Sequence, residues 1–313
     1  MDIAVIGRTE ILYETAELLA RNGHTIRVIV TAKEAPEYGA TEEDFRKLAE
    51  RMGCRFLSTS RIGSEEALKV IGNQGNLDLA VSLNYVRIIP EEVIRLFKYG
   101  ILNAHGGDLP RYRGNACQAW ALINGEDRIG LCVHKMIGGV LDGGDILARE
   151  YLEIDVNTTI GQVWSWMGRR TPQLFLQAVA RLDEDSAYVL EKWDPIRYRD
   201  HSLRCYPRMP EDGKIDWHKS DMEILRLINA SSEPFGGAFC ELEGRKMILW
   251  KAGLHDDKEK YCAVPGQIAA ISRDDGSVIV ITGDGKLRVT EVEYEGFRGK
   301  PSDMIRSTRA RLR

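Results

Sequence analysis

At 313 residues, 43% apolar and 29% charged, the chain has the profile of a globular protein with room for two domains. A formal charge of −4 argues against a uniformly basic nucleic-acid binder. No apolar run approaches the roughly 18 residues of a membrane helix, and the opening MDIAVIGRTE has no basic leader, which argues against a signal peptide and against a membrane partner.

The first half alternates strand-like and helical patterns. Residues 2–6 read as a buried strand, and 9–22 as a helix stopped by Gly23 in a left-handed conformation. A second strand follows at 25–31 and an acidic-fronted helix at 41–52, with Gly53 after it. Residues 77–83 form a strand, Pro90 starts a helix where a missing N–H costs nothing, and 100–105 form another strand. This order predicts a parallel sheet covered by helices on both faces.

From about residue 130 the pattern changes. Residues 129–136 and 146–151 read as strands around a glycine-rich loop, and 159–182 as a long helix kinked near Pro172. The charged, aromatic stretch 183–204 reads as a linker. Beyond it, Ser220 and Glu223 form a capping box before Ile224. Apolar runs at 247–250, 267–271, 278–282 and 287–292 alternate with turns such as Asp275-Gly276 and Asp284-Gly285, which predicts a small β-barrel. The six cysteines (54, 117, 132, 205, 240, 262) show neither a CxxC pair nor zinc spacing, so buried free thiols in a reducing cytoplasm are expected, and no metal.

Only Gly7 follows the first strand, so the three-glycine dinucleotide fingerprint is missing. Chemistry concentrates instead in NAHGGDLPRYRGN, residues 103–115. Asn103 and His105 stand at i and i+2 and share one face of a strand end, the usual ligand edge of an α/β sheet. Acyl transfer needs such a pair, a donor for a developing oxyanion and a base for the nucleophile, with a carboxylate to steady the imidazole. The loop IGGVLDGGD at 137–145 supplies candidate carboxylates.

Residues 101–147 resemble the core of the 10-formyltetrahydrofolate-dependent formyltransferase family. Its N-x-H-x-S-L-L-P-x-x-x-G pattern stands here at 103–114, and L-D-x-G-D-I-L at 141–147. Two departures are visible: Gly107 and Asp108 replace the family's serine and leucine, and 136–142 is one residue longer than usual. The likeness extends over nearly the whole chain. It implies an α/β fold, with a Rossmann-like catalytic domain at 1–182, the linker at 183–204 and a C-terminal OB-like β-barrel domain at 205–313. It further implies an N-formyltransferase with N10-formyltetrahydrofolate as cosubstrate and, by family habit, a homodimer. By position, Asn103 matches the residue that meets the formyl oxygen, His105 the general acid/base and Asp142 the aspartate that keeps it basic, while Asp145 holds the loop. Tyr85, Arg87, Ile88 and Ile89, with Gly138, Gly139, Val140 and Leu141, match the stretches that hold the pteridine ring through their backbone.

Two branches of the family compete for the acceptor. The stretch KEAPEYGATEED at 33–44 is acidic where a tRNA-binding loop would be basic. Residues 82–89 and 120–126 resemble sugar N-formyltransferases. The expected acceptor is therefore an amino sugar on a nucleotide, as in surface-glycan synthesis, with Arg111, Arg113 and Asn115 placed to meet its diphosphate. Nucleic acid is the weaker expectation, methionyl-tRNA being the alternative acceptor and hydrolysis of the formyl donor a further alternative.

Overall fold

The computed structural model describes every residue except Glu37, which falls in the acidic stretch 33–44, and Lys258. In chain order the elements are β1 (Asp2–Gly7), α1 (Glu10–Arg21), β2 (Thr25–Thr31), α2 (Glu42–Met52), β3 (Arg55–Ser58), α3 (Glu65–Gly72), β4 (Leu79–Leu83), α4 (Glu91–Ile94), β5 (Ile101–His105) and β6 (Tyr112–Gly114). Then come α5 (Cys117–Asn124), β7 (Arg128–Lys135), β8 (Ile146–Glu153), α6 (Ile160–Glu184), α7 (Pro195–His201) and β9 (Leu203–Cys205). The last part holds α8 (Asp221–Ser231), β10 (Ala238–Leu242), β11 (Arg245–Leu254), β12 (Ile268–Ile271), β13 (Val278–Ile281), β14 (Lys286–Tyr294), β15 (Phe297–Gly299) and α9 (Pro301–Met304).

Two compact units emerge. The first comprises residues 1–114, 130–152 and 165–205, and the second 115–129, 153–164 and 206–313. The first is built on a seven-stranded sheet of order β3-β2-β1-β4-β5-β7-β8. Strand β1 shows why it must be covered twice. Ile3 and Val5 enter one core with Leu12 of α1, Phe45 of α2 and Phe175 of α6. Ala4 and Ile6 enter the opposite core with Ile71 of α3 and Val93 of α4. Alternate side chains of a strand point to opposite faces, so a run apolar at every position must be buried on both.

The sheet as a whole is mixed. Strands β1 to β5 pair in parallel, but β7 runs antiparallel to β5. The chain leaves β5 and re-enters at β7 from the same edge, so this connection makes no crossover. Helix α6 runs unbroken through Pro172. The stretch 183–204, read as a linker, carries α7 and β9. Strand β9 pairs with β6, and Ile146 N–H donates to the Glu191 carbonyl at 2.9 Å.

In the second unit, β10-β11-β14-β13-β12 form one antiparallel sheet, with β15 on β14. Gly276 and Gly285 turn its hairpins at φ 75° and 93°, a region L side chains avoid. Residues 310–313 join its two edges. Leu312 bridges to Leu242 at the end of β10, and Arg311 bridges to Gln267 beside β12. The buried Leu312 faces the core, and the sheet is thereby drawn into a barrel. Among the described residues the cysteines are free, Cys262 being exposed rather than buried as expected. No described helix is long and apolar enough to cross a membrane.

Candidate active site

Strand β5 ends on Asn103, Ala104 and His105, and register pairs Asn103 with His134 and His105 with Cys132. Cross-strand partners share a face, so both chemically distinctive residues of β5 stand beside His134 on one side of the sheet. The His105 ring is buried. Its Nε2 lies 2.8 Å from the Tyr112 carbonyl oxygen and its Nδ1 lies 3.6 Å from Oδ1 of Asp142. Both ring nitrogens therefore face acceptors, and the doubly protonated ring can donate from each.

Asp142 reaches this position on a constrained loop. Its φ of 52° is left-handed, a region where Asp is better tolerated than most residues. The Gly114 N–H donates to its Oδ2 at 2.7 Å. Gly114 itself has φ 100°, and a Cβ there would lie 2.3 Å from the Cys205 carbonyl oxygen, so glycine lets β6 and β9 approach. At Gly144 (φ 121°) a Cβ would lie 1.8 Å from the Lys135 carbonyl oxygen, which brings the loop back against β7. Asp145 anchors the far end by accepting from Trp193 N–H at 2.8 Å and Lys192 Nζ at 3.0 Å. Burial alone would push its carboxyl upward, but these two donors outweigh that and hold it below the usual carboxylate range.

The stretches expected to hold the pteridine come together. Gly138 N–H donates to Glu91 Oε2 at 3.1 Å, tying the 137–141 turn to the segment that follows Ile88 and Ile89. Ile137 and Val140 bridge across Gly138 and Gly139, the latter at φ 75°. Tyr85 is fixed by its hydroxyl on the Thr59 carbonyl at 2.6 Å, Ile89 is buried, and Arg87 and Ile88 are exposed. The Leu141 carbonyl accepts from the Tyr198 hydroxyl. A shallow cleft lies beside Asp142, lined among others by Leu109, Pro110, Ile146, Trp193 and Arg197.

The residues expected to meet a diphosphate fall on β6 and the positions flanking it. Arg113 is held inside the first unit, with Nε on Ser202 Oγ and Nη1 on the Tyr198 hydroxyl, both at 2.9 Å. Arg111 is exposed above the Tyr112 ring, and Asn115 belongs to the second unit. The unusual Asp108 accepts from the Tyr151 hydroxyl at 3.0 Å. His134, Trp193 and Tyr198 escaped the sequence reading. The one available signal was a histidine interrupting the apolar run 129–136.

A Rossmann-like sheet carrying this constellation, followed by a closed antiparallel barrel, is the layout of a two-domain formyltransferase. The chain belongs to the formyl transferase family: residues 1–179 match the Formyl transferase family and 208–306 match Formyl transferase, C-terminal domain. It is an N-formyltransferase, and the family's formyl donor is a formyl-tetrahydrofolate. The methionyl-tRNA formyltransferase of Geobacter metallireducens is 28% identical over 95% of this chain and 92% of its own length. That of Alkaliphilus oremlandii is 28% identical over 95% and 93%. In structure, the sugar 3N-formyltransferase WlaRD, solved with dTDP and 5-N-formyl-THF, superposes with a TM-score of 0.67 at 18% identity, over 95% of this chain and 98% of that one.

These relatives overturn the expectation of an amino-sugar nucleotide acceptor with nucleic acid set aside. Likeness to the sugar enzymes at 18% identity carries the fold and not the acceptor. The acidic stretch 33–44 misled for a local reason. Thr41 and Asp44 make the capping box of α2, Glu42 and Glu43 fill its first turn, and Glu34 accepts from Glu42 N–H at 3.1 Å. Its charge starts a helix, where acidic residues are favoured.

Proposed function

We propose that this chain formylates the amino group of methionyl-tRNA, with 10-formyltetrahydrofolate as donor. The observation that carries the reading is that the methionyl-tRNA formyltransferase relatives align across both units, over 95% of the chain. The neutral amine attacks the formyl carbon, a C–N bond forms, and the carbonyl oxygen becomes an oxyanion. Asn103 Nδ2–H donates to that oxygen. As the bond from carbon to N10 breaks, one proton passes from the amine to N10 through His105. The Asp142 carboxylate, 3.6 Å from Nδ1, stabilises the imidazolium on the way. Nε2 is the nitrogen that meets the substrates, exchanging its bond to the Tyr112 carbonyl. The backbone of 85–89 and 138–141 receives the pteridine, a role to which a turn of two glycines is suited.

The test is an incubation of the purified chain with 10-formyltetrahydrofolate and methionyl-tRNA, read by mass spectrometry after ester hydrolysis. Formyl-methionine is the expected product, with tetrahydrofolate released in equal amount. Donor consumed without formyl-methionine would overturn the reading.

A further inference from the structure

His134 is a buried histidine at the centre of the site that the proposed mechanism leaves unused. Its Nδ1 lies 3.1 Å from the Gly143 carbonyl oxygen and 3.2 Å from its neighbour's at Lys135. Carbonyl oxygens only accept, so Nδ1 carries the proton. Burial disfavours the charged ring and dominates its titration. Asp142 opposes burial and His105 reinforces it, these being the titratable groups that bear on it. A neutral ring protonated on Nδ1 presents a bare lone pair on Nε2. That lone pair lies 3.2 Å from Nδ2 of Asn103.

We infer that His134 is a positioning residue that fixes which way the Asn103 carboxamide faces. An asparagine amide has two nearly isosteric orientations, one with NH₂ and one with C=O in a given direction. A lone pair repels the carbonyl and accepts from the NH₂. The two carbonyl oxygens at 135 and 143 thus set the ring's tautomer, and the tautomer sets the amide. One Nδ2 hydrogen is held by His134 and the second is left to meet a substrate oxygen. The carbonyl at 143 belongs to the residue after Asp142, so the loop that brings the carboxylate also orients the amide. The inference rests on Asn103 meeting the formyl oxygen, as proposed above.

Two measurements test it. Long-range ¹H–¹⁵N correlation spectra of histidine-labelled protein should show His134 as the Nδ1–H tautomer at neutral pH. An Nε2–H tautomer would overturn the inference, whatever the acceptor proves to be. The second is a double-mutant cycle on formyl transfer to methionyl-tRNA. Asn103→Ala alone should cost about 10² to 10³ in kcat, the usual price of an oxyanion donor. In a His134→Phe background the same change should cost less than about tenfold, with little change in KM for the donor. His134→Gln, whose amide oxygen can accept from Asn103, should recover part of the rate and serves if the Phe variant does not fold. An unchanged Asn103 effect in both backgrounds would sink the inference. If the wild type makes no formyl-methionine, the acceptor assignment fails while the tautomer measurement still decides this one.

Discussion

Asn103 and His105 are polar residues at the end of an otherwise apolar strand. Replacing Asn103 by Ala should lower formyl transfer by about 10² to 10³, and His105 by Ala by about 10² to 10⁴, in both cases with the fold retained by circular dichroism. Near-normal turnover by either variant would remove it from the mechanism. Stability should also respond to His134. Its folded pKa lies below the ordinary value, burial being the main cause. The unfolded chain then binds a proton that the folded chain refuses, so stability is fully present above about pH 6.5 and declines as pH falls below it. Melting temperatures followed from pH 8 to 5 should fall less steeply in His134→Phe. Asn103 and His105 were legible because their spacing alone puts them on one face. His134 was not, because its partnership with Asn103 exists only in the antiparallel register of β7 on β5, which the alternation of strands and helices did not foretell.

The element that decides the site is the loop from 137 to 145. It is pinned at Gly138 by Glu91, at Leu141 by Tyr198, at Asp142 by Gly114 and at Asp145 by Trp193 and Lys192. Gly144→Ala should break this arrangement, since its Cβ would meet the Lys135 carbonyl. Shifting Asp142 by about 1 Å should lower kcat on the order of 10²-fold with the sheet intact, measured by kinetics alongside far-ultraviolet circular dichroism. The glycines and aspartates of this loop could be read from the sequence, but the segment that secures it could not. Residues 191–198 are charged and aromatic without periodicity, and they gain their order from pairing with a distant loop. The short β3 went unread for a related reason: four residues of RFLS show no alternation, and the strand takes its definition from pairing with β2.

For the whole molecule, the legible part was the succession of a wound sheet and a barrel, carried by periodicity and turn residues. The closure of the barrel was not legible, because 310–313 contribute only Ala310 and Leu312, alternating with arginines. Leu312 is 2% exposed and sits where the two sheet edges meet. Leu312→Ala should cost the second unit about 2–5 kcal/mol, lowering its calorimetric transition while the first unit's stays in place. A single shared transition that moves as one would show instead that the units melt together.

The placement of Trp193 has a practical outcome. The Trp193 indole lies against the backbone at Gly143 and lines the cleft beside Asp142, while the residue's backbone N–H is moored to Asp145. The same loop carries the turn at 138–141 proposed to receive the pteridine, so a folate held by that turn should alter the surroundings of the indole and with them its emission. The molecule thus carries its own optical gauge of donor occupancy. Titration with tetrahydrofolate should change the native fluorescence by more than the ligand's own absorbance accounts for, and Trp193→Phe should lose most of that change while the other five tryptophans still glow.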